Sequence, residues 1–128
     1  MTSPTTRNFS EPQQVLEFPL GRGEVLVLDD ASVLRMTLQP GWRWSQHLKP
    51  SIGMPLCQAP HFQHMVSGRV AGVMADGTEF EFGPGDVSIL PPGHDLWVVG
   101  DEPAVIVDWG GAHIWGRSLE EVARFIVI

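Results

Sequence analysis

The chain has no tyrosine, a single cysteine, only eight basic residues and no long apolar run. Each shortage excludes something. One cysteine, Cys57, cannot form an internal disulfide, which fits a reducing compartment. The eight Lys and Arg residues stand singly among fifteen acids, and the net charge is −7. Without a basic cluster or stripe the chain is no nucleic-acid binder. No segment approaches the ~18 apolar residues of a membrane-spanning helix. The opening residues, MTSPTTRNFSEP, are polar and contain no apolar stretch of the signal-peptide kind. These features point to a soluble, cytoplasmic protein with neither nucleic acid nor membrane as partner. Internal repeats and low-complexity segments are also missing. At 128 residues the chain makes one domain, able to bury about two-thirds of its unfolded surface.

What is abundant is punctuation. Fourteen glycines and eleven prolines recur between short apolar runs, the pattern of an all-β sandwich or barrel. Residues 1–12 read as a flexible tail, leaving residues 13–128 as the domain. Strands are predicted at Val15–Phe18, Glu24–Leu28, Ala31–Leu38, His61–Ser67, Asp86–Leu90, Asp95–Val99 and Ala104–Trp109. Val70–Ala75 and Thr78–Phe82 flank Asp76-Gly77, a strong signal for a two-residue hairpin turn. That turn would pair Ala75 with Thr78, Val73 with Phe80 and Ala71 with Phe82, leaving Glu79 and Glu81 beside Met74 and Gly72 on the other face. Residues 49–60, KPSIGMPLCQAP, read as a long loop of the kind that often carries function. Ser118 and Glu121 form a capping box ahead of the stripe Leu119, Val122, Ala123 and Ile126, which predicts a short C-terminal helix.

The stretch from Gly83 to Trp97, GPGDVSILPPGHDLW, is the most specific. Gly85, Pro91 and Gly93 reproduce the spacing G-x5-P-x-G, which resembles the second motif of the cupins, small barrels of the jelly-roll class. The first cupin motif, G-x5-H-x-H-x3/4-E-x6-G, is matched by Gly41 and His47 at its start and by Gly68 at its end. The resemblance spans roughly residues 34–109. It implies a cupin-type jelly-roll barrel, and in that family two histidines and a glutamate from the first motif, with one histidine from the second, usually bind a divalent metal.

Here the ligand positions depart from the pattern. The second histidine of the first motif is Lys49, the glutamate position is His61, and the histidine of the second motif is Leu96, with His94 two residues before it. Side chains two apart on a strand share a face. His94 therefore accompanies Leu96, Cys57 accompanies His61 if that segment is extended, and His64 points the other way. The candidate metal ligands are His47, Cys57, His61 and His94. Imidazole with thiolate favours zinc, with nickel, copper or iron as further options. Asp95 and Asp108 are the nearest carboxylates, off the motif positions. Lys49 and His61 are candidates for moving protons. Five tryptophans stand out in a chain without tyrosine. Trp42 and Trp44, in phase with each other, are candidates to line a small-molecule pocket with Leu96, whereas Trp97 faces away.

Two functions follow from the resemblance. One is a metal-dependent enzyme acting on a small molecule by isomerase, cyclase, lyase or oxygenase chemistry. The other is a non-catalytic module that binds or senses a small molecule. A homodimer is the expected assembly.

Overall fold

The computed structural model describes residues 3–29, 31–47, 56 and 61–109. Nine strands and one short helix follow in the order β1 (Gln14–Phe18), β2 (Gly21–Leu28), β3 (Ala31–Leu38), α1 (Trp44–His47), β4 (His61–Ser67), β5 (Arg69–Met74), β6 (Glu79–Phe82), β7 (Val87–Leu90), β8 (His94–Val99) and β9 (Ala104–Asp108). They form a six-stranded sheet, β1-β2-β3-β9-β4-β7, and a three-stranded sheet, β6-β5-β8. All pairings are antiparallel. Alternation along each strand decides which side faces inward. On β3, Ser32, Leu34, Met36 and Leu38 are buried, and on β9 Ala104, Ile106 and Asp108 are. Leu34, Met36, Leu38, Ala104 and Ile106 meet Val70, Leu96 and Val98 of the smaller sheet in one core.

Trp42 and Trp44 lie wholly inside that core, each ring removing about 150–250 Å² from water, worth about 4–6 kcal/mol before entropy is charged. They were expected to be in phase on one extended stretch. Instead Trp42 O accepts the Val98 N–H at 3.1 Å, Arg43 makes a single β-bridge with Trp97, and α1 starts at Trp44. The helix is secured from outside. Asp95 accepts hydrogen bonds from Ser45 N–H (3.1 Å), Ser45 Oγ (2.9 Å) and Arg43 Nε (3.0 Å).

The Asp76-Gly77 hairpin differs by one residue from its expected pairing. Val73 faces Glu79, Gly72 faces Phe80, Ala71 faces Glu81 and Val70 faces Phe82. The loop has three residues, Ala75 to Gly77, closed by Met74 N–H to Thr78 O at 2.8 Å and Gly77 N–H to Met74 O at 2.9 Å. A one-residue slip moves every side chain to the other face. Phe80 and Phe82 thus stack at 5.2 Å and pack on the core beside Met74, while Glu79 and Glu81 face solvent. Gly72 makes the slip possible, because a Cβ there would overlap Asp95 O and the Phe80 ring. Gly77 sits at φ +91° with open space around its missing Cβ. Gly77→Val should therefore cost about 1–3 kcal/mol through backbone strain alone. Urea unfolding measures this, and a variant as stable as the parent would argue against the positive-φ turn.

At the N-terminal side, Gln13 clips onto β2 through its own N–H to Val25 O (3.1 Å) and through its side-chain amide to both backbone groups of Val27. Residues 3–12, expected as tail, hold no strand or helix, and the Phe9 ring lies 4.7 Å beneath the Arg35 guanidinium. The expected C-terminal helix and the loop residues Lys49 and Cys57 fall outside the described residues. Among the described residues no helix is long and apolar enough to cross a membrane.

Candidate functional site

Three strands bring polar side chains into an otherwise apolar interior. β4 opens on His61, with His61, Gln63 and Met65 inward and Phe62, His64 and Val66 outward. β9 lies beside it with Gln63 opposite Asp108, so Asp108 is diagonal to His61 on the same face. β8 starts at His94, immediately after the Pro91-Pro92-Gly93 turn, and carries Leu96 and Val98 on the same inward face. The His61 and His94 rings end 5.1 Å apart between centroids, inclined at 59°.

Both rings are oriented through their Nδ1 atoms. His61 Nδ1 donates a short hydrogen bond to Asp108 Oδ2, and Phe62 N–H binds Asp108 Oδ1 at 3.3 Å. Both partners are almost fully buried. His94 Nδ1 donates to Pro91 O at 2.7 Å. On His94 a proton at Nδ1 leaves the Nε2 lone pair as an acceptor. His94 Nε2 is buried and, among the described residues, has no hydrogen-bond partner. Burial first, and repulsion from His61 second, push His94 down to about 4, against weaker opposing effects of Pro91 O and Asp95. The imidazole is therefore neutral at ordinary pH.

Trp42 Nε1 and Trp44 Nε1 are also buried without a partner among the described residues. Orphans of this kind cost about 1–3 kcal/mol each. The β-bridge register places Trp44 opposite Leu96, two residues along β8 from His94, and Trp42 opposite Val98.

The structure thus brings His61, His94 and Leu96 to one interior, with Trp42 and Trp44 buried beside β8. His47 turns back on its own helical turn, where its Nδ1 accepts the Arg43 N–H at 2.9 Å. Among the described residues no three His, Cys, Asp or Glu side chains converge to hold a metal ion. His64 is on the outer face of β4. Asp95 belongs to the outer clamp on α1, and Trp97 lies outside under the Arg43 guanidinium at 4.2 Å. Asp108 is the site residue that the motif spacing did not select. Its signal was present in the sequence, for Asp108 continues the buried phase Ala104, Ile106 of a strand, where a carboxylate needs a partner.

The architecture is that of the cupins, an all-β jelly-roll barrel with its candidate site among inward-facing side chains. Oxalate decarboxylase from Lactobacillus farciminis superimposes with a TM-score of 0.54 at 23% identity, over 74% of this chain and 30% of that one. The coconut allergen cocosin gives 0.57 at 20% identity, over 77% and 30%. The polyketide cyclase RemF of Streptomyces resistomycificus gives 0.59 at 13% identity, over 83% and 78%. The chain spans under a third of the length of the first two proteins. No family model and no curated protein matches the sequence.

Proposed function

We propose that the protein is a small-molecule enzyme of the cupin class, with its chemistry at His61 and His94 and a divalent transition metal as cofactor. The observation that carries this reading is His94 Nε2, a buried, neutral, unpartnered lone pair 5.1 Å, ring to ring, from a second imidazole. Two imidazoles oriented by a carboxylate and a backbone carbonyl have the outer-shell support typical of metal-binding histidines. Remaining positions are then left to solvent, substrate or residues of the 48–60 segment, where the candidates Cys57 and Lys49 lie. The oxalate decarboxylase of Bacillus subtilis, which has the same fold and is described with Mn(II) centres, lends the reading support, as does RemF as a cyclase.

When bound, the metal would supply a Lewis acid for a carbonyl or enolate oxygen. The chain's own groups do the rest. His61 and His94 would hold the ion, Asp108 accepts from His61 Nδ1 and so orients the ring, and Trp42, Trp44 and Leu96 would exclude water. Lys49 is the candidate base. An imidazole-rich set suits zinc, nickel or copper, and a carboxylate from substrate would suit iron or manganese equally. Placement in the cytoplasm belongs to the same proposal and rests on the lone cysteine.

Elemental mass spectrometry of untagged protein tests the reading. Stoichiometric transition metal is expected, with uptake after stripping. Metal far below stoichiometry, and none regained on reconstitution, would overturn it. That result would favour the second reading, a metal-free binding module. A specific observation supports this alternative: the two unpartnered tryptophan N–H donors can hold an oxygen-bearing ligand directly.

A further inference from the structure

The three-stranded sheet presents its outer face on the side opposite the histidines, since side chains alternate along β8. The strand register aligns Glu79, Val73 and Asp95 in one outward row and Glu81, Ala71 and Trp97 in the next. Between the carboxylates of β6 and the indole of β8 lies a groove of about 380 Å³, floored by Ala71 and Gly72. That is the size of a small-molecule site. Neighbouring strands are ~4.8 Å apart, so the backbones under Glu81 and Trp97 stand about 10 Å apart across it. Ala71, a single methyl between two long side chains, keeps the space between them open.

Charge selects the occupant. Elsewhere on the sheets each arginine is matched to a carboxylate: Arg22 to Glu17 and Glu24, Arg35 to Glu24, Arg43 to Asp95 and Arg69 to Glu81. Glu79 is exposed and, among the described residues, has no such partner. The Arg69–Glu81 bridge is half-exposed on both sides, so an incoming cation can share Glu81 at little cost. Trp97 already carries one cation, the Arg43 guanidinium 4.2 Å over its ring. An indole facing carboxylates suits an organic cation. An inorganic ion needs several oxygens converging on one point, and among the described residues no such group of acids exists. The net charge of −7 also draws cations to the surface.

We propose that this groove binds the alkylated ammonium head of a small organic cation, seated between the Glu79 and Glu81 carboxylates and the Trp97 ring. Methyl groups on the nitrogen cover Ala71 and the indole, whereas a bare ammonium in so open a groove keeps its water. The site is on the opposite face of β8 from His94, and the inference is independent of the metal reading.

The indole N–H resonances of isotopically labelled full-length protein, titrated with choline at constant ionic strength, test it. The Trp97 resonance, identified by its loss in Trp97→Phe, should shift and saturate, while those of Trp42 and Trp44 stay in place. The uncharged isostere 3,3-dimethylbutan-1-ol should bind about tenfold or more weakly. Glu79→Gln should weaken choline about three- to tenfold, and Glu17→Gln, the same change on the other sheet, should not. No saturable shift at Trp97 in the parent would overturn the proposal, and this readout needs no variant. Equal binding of the isostere, or equal effects of the two glutamine variants, would overturn it too, because the groove would then be merely apolar or the attraction general. A trimethyl-lysine peptide saturating the shift at about a hundredth of the choline concentration would overturn the assignment to a small molecule and give the groove to a protein partner.

Discussion

A His94→Leu protein will fold, bind transition metal about a hundredfold or more weakly, and lose most of the parent's sensitivity to mild acid. The weaker metal binding follows from removing an Nε2 lone pair that is buried and, among the described residues, without a partner. The lost acid sensitivity follows from linkage. In the folded chain His94 protonates only near about 4, below its ordinary value of 6.5. Between those values the unfolded chain takes up a proton that the metal-free folded chain refuses. Stability is therefore complete above about 6.5 and falls as pH drops towards 4, by about 2–3 kcal/mol for this group. The leucine variant has no such group and should lose that much less between pH 7 and pH 4.5, each value read from urea unfolding of metal-free protein. Its stability at neutral pH should be within about 1 kcal/mol of the parent, because removing an unpaired buried acceptor offsets the lost hydrogen bond to Pro91 O. Equal acid sensitivity in both proteins would mean that His94 is not the group held neutral.

Asp108→Asn should produce the largest loss of stability among the polar changes. The carboxylate accepts from both His61 Nδ1 and Phe62 N–H. The amide offers one oxygen and must turn its NH₂ towards one of those donors. Breaking one side of a buried pair of this kind costs about 3 kcal/mol or more, and loss of the outer-shell acceptor lowers metal affinity about 10–100-fold. The two readouts separate the roles. If Asp108 only fills space, stability falls and metal affinity stays. Calorimetric metal titration below the variant's melting range, with thermal unfolding of the same sample, reads both. Asp108→Glu, which keeps the charge, should recover part of the affinity.

Local chemistry explains which parts of this fold were legible. β3 and β4 begin and end where alternation and turn residues put them, at Ala31–Leu38 and His61–Ser67, because one buried face specifies register strongly. The Gly85–Pro91–Gly93 spacing likewise located β7 and β8. The hairpin at Asp76-Gly77 was placed correctly and paired wrongly. Its turn residues suit a two-residue or a three-residue loop, and the choice was made by Phe80 and Phe82 seeking the core past Gly72, a contact across strands. α1 was not foreseen because its restraint is Asp95, fifty residues from Ser45. At the site, His61 and His94 could be brought to one interior by parity alone. Their separation, the Asp108 hydrogen bond and the fold-back of His47 onto Arg43 depend on how β4, β9 and β8 pack, which no spacing rule contains.

The tryptophans also give the protein a colour scheme. With no tyrosine in the chain, ultraviolet emission comes from indole alone. Trp42 and Trp44, dry and without a partner for their N–H groups, sit apart optically from half-exposed Trp109 and from Trp97 beneath its guanidinium. The interior pair is expected to emit at the blue end and half-exposed Trp109 at the red, which an emission spectrum checks. A ligand that accepted hydrogen bonds from those indole N–H groups would redden the blue component, and a paramagnetic ion, were one bound at His94, would quench Trp44 before the outer rings. The core thus reports its own occupancy as light, without a label.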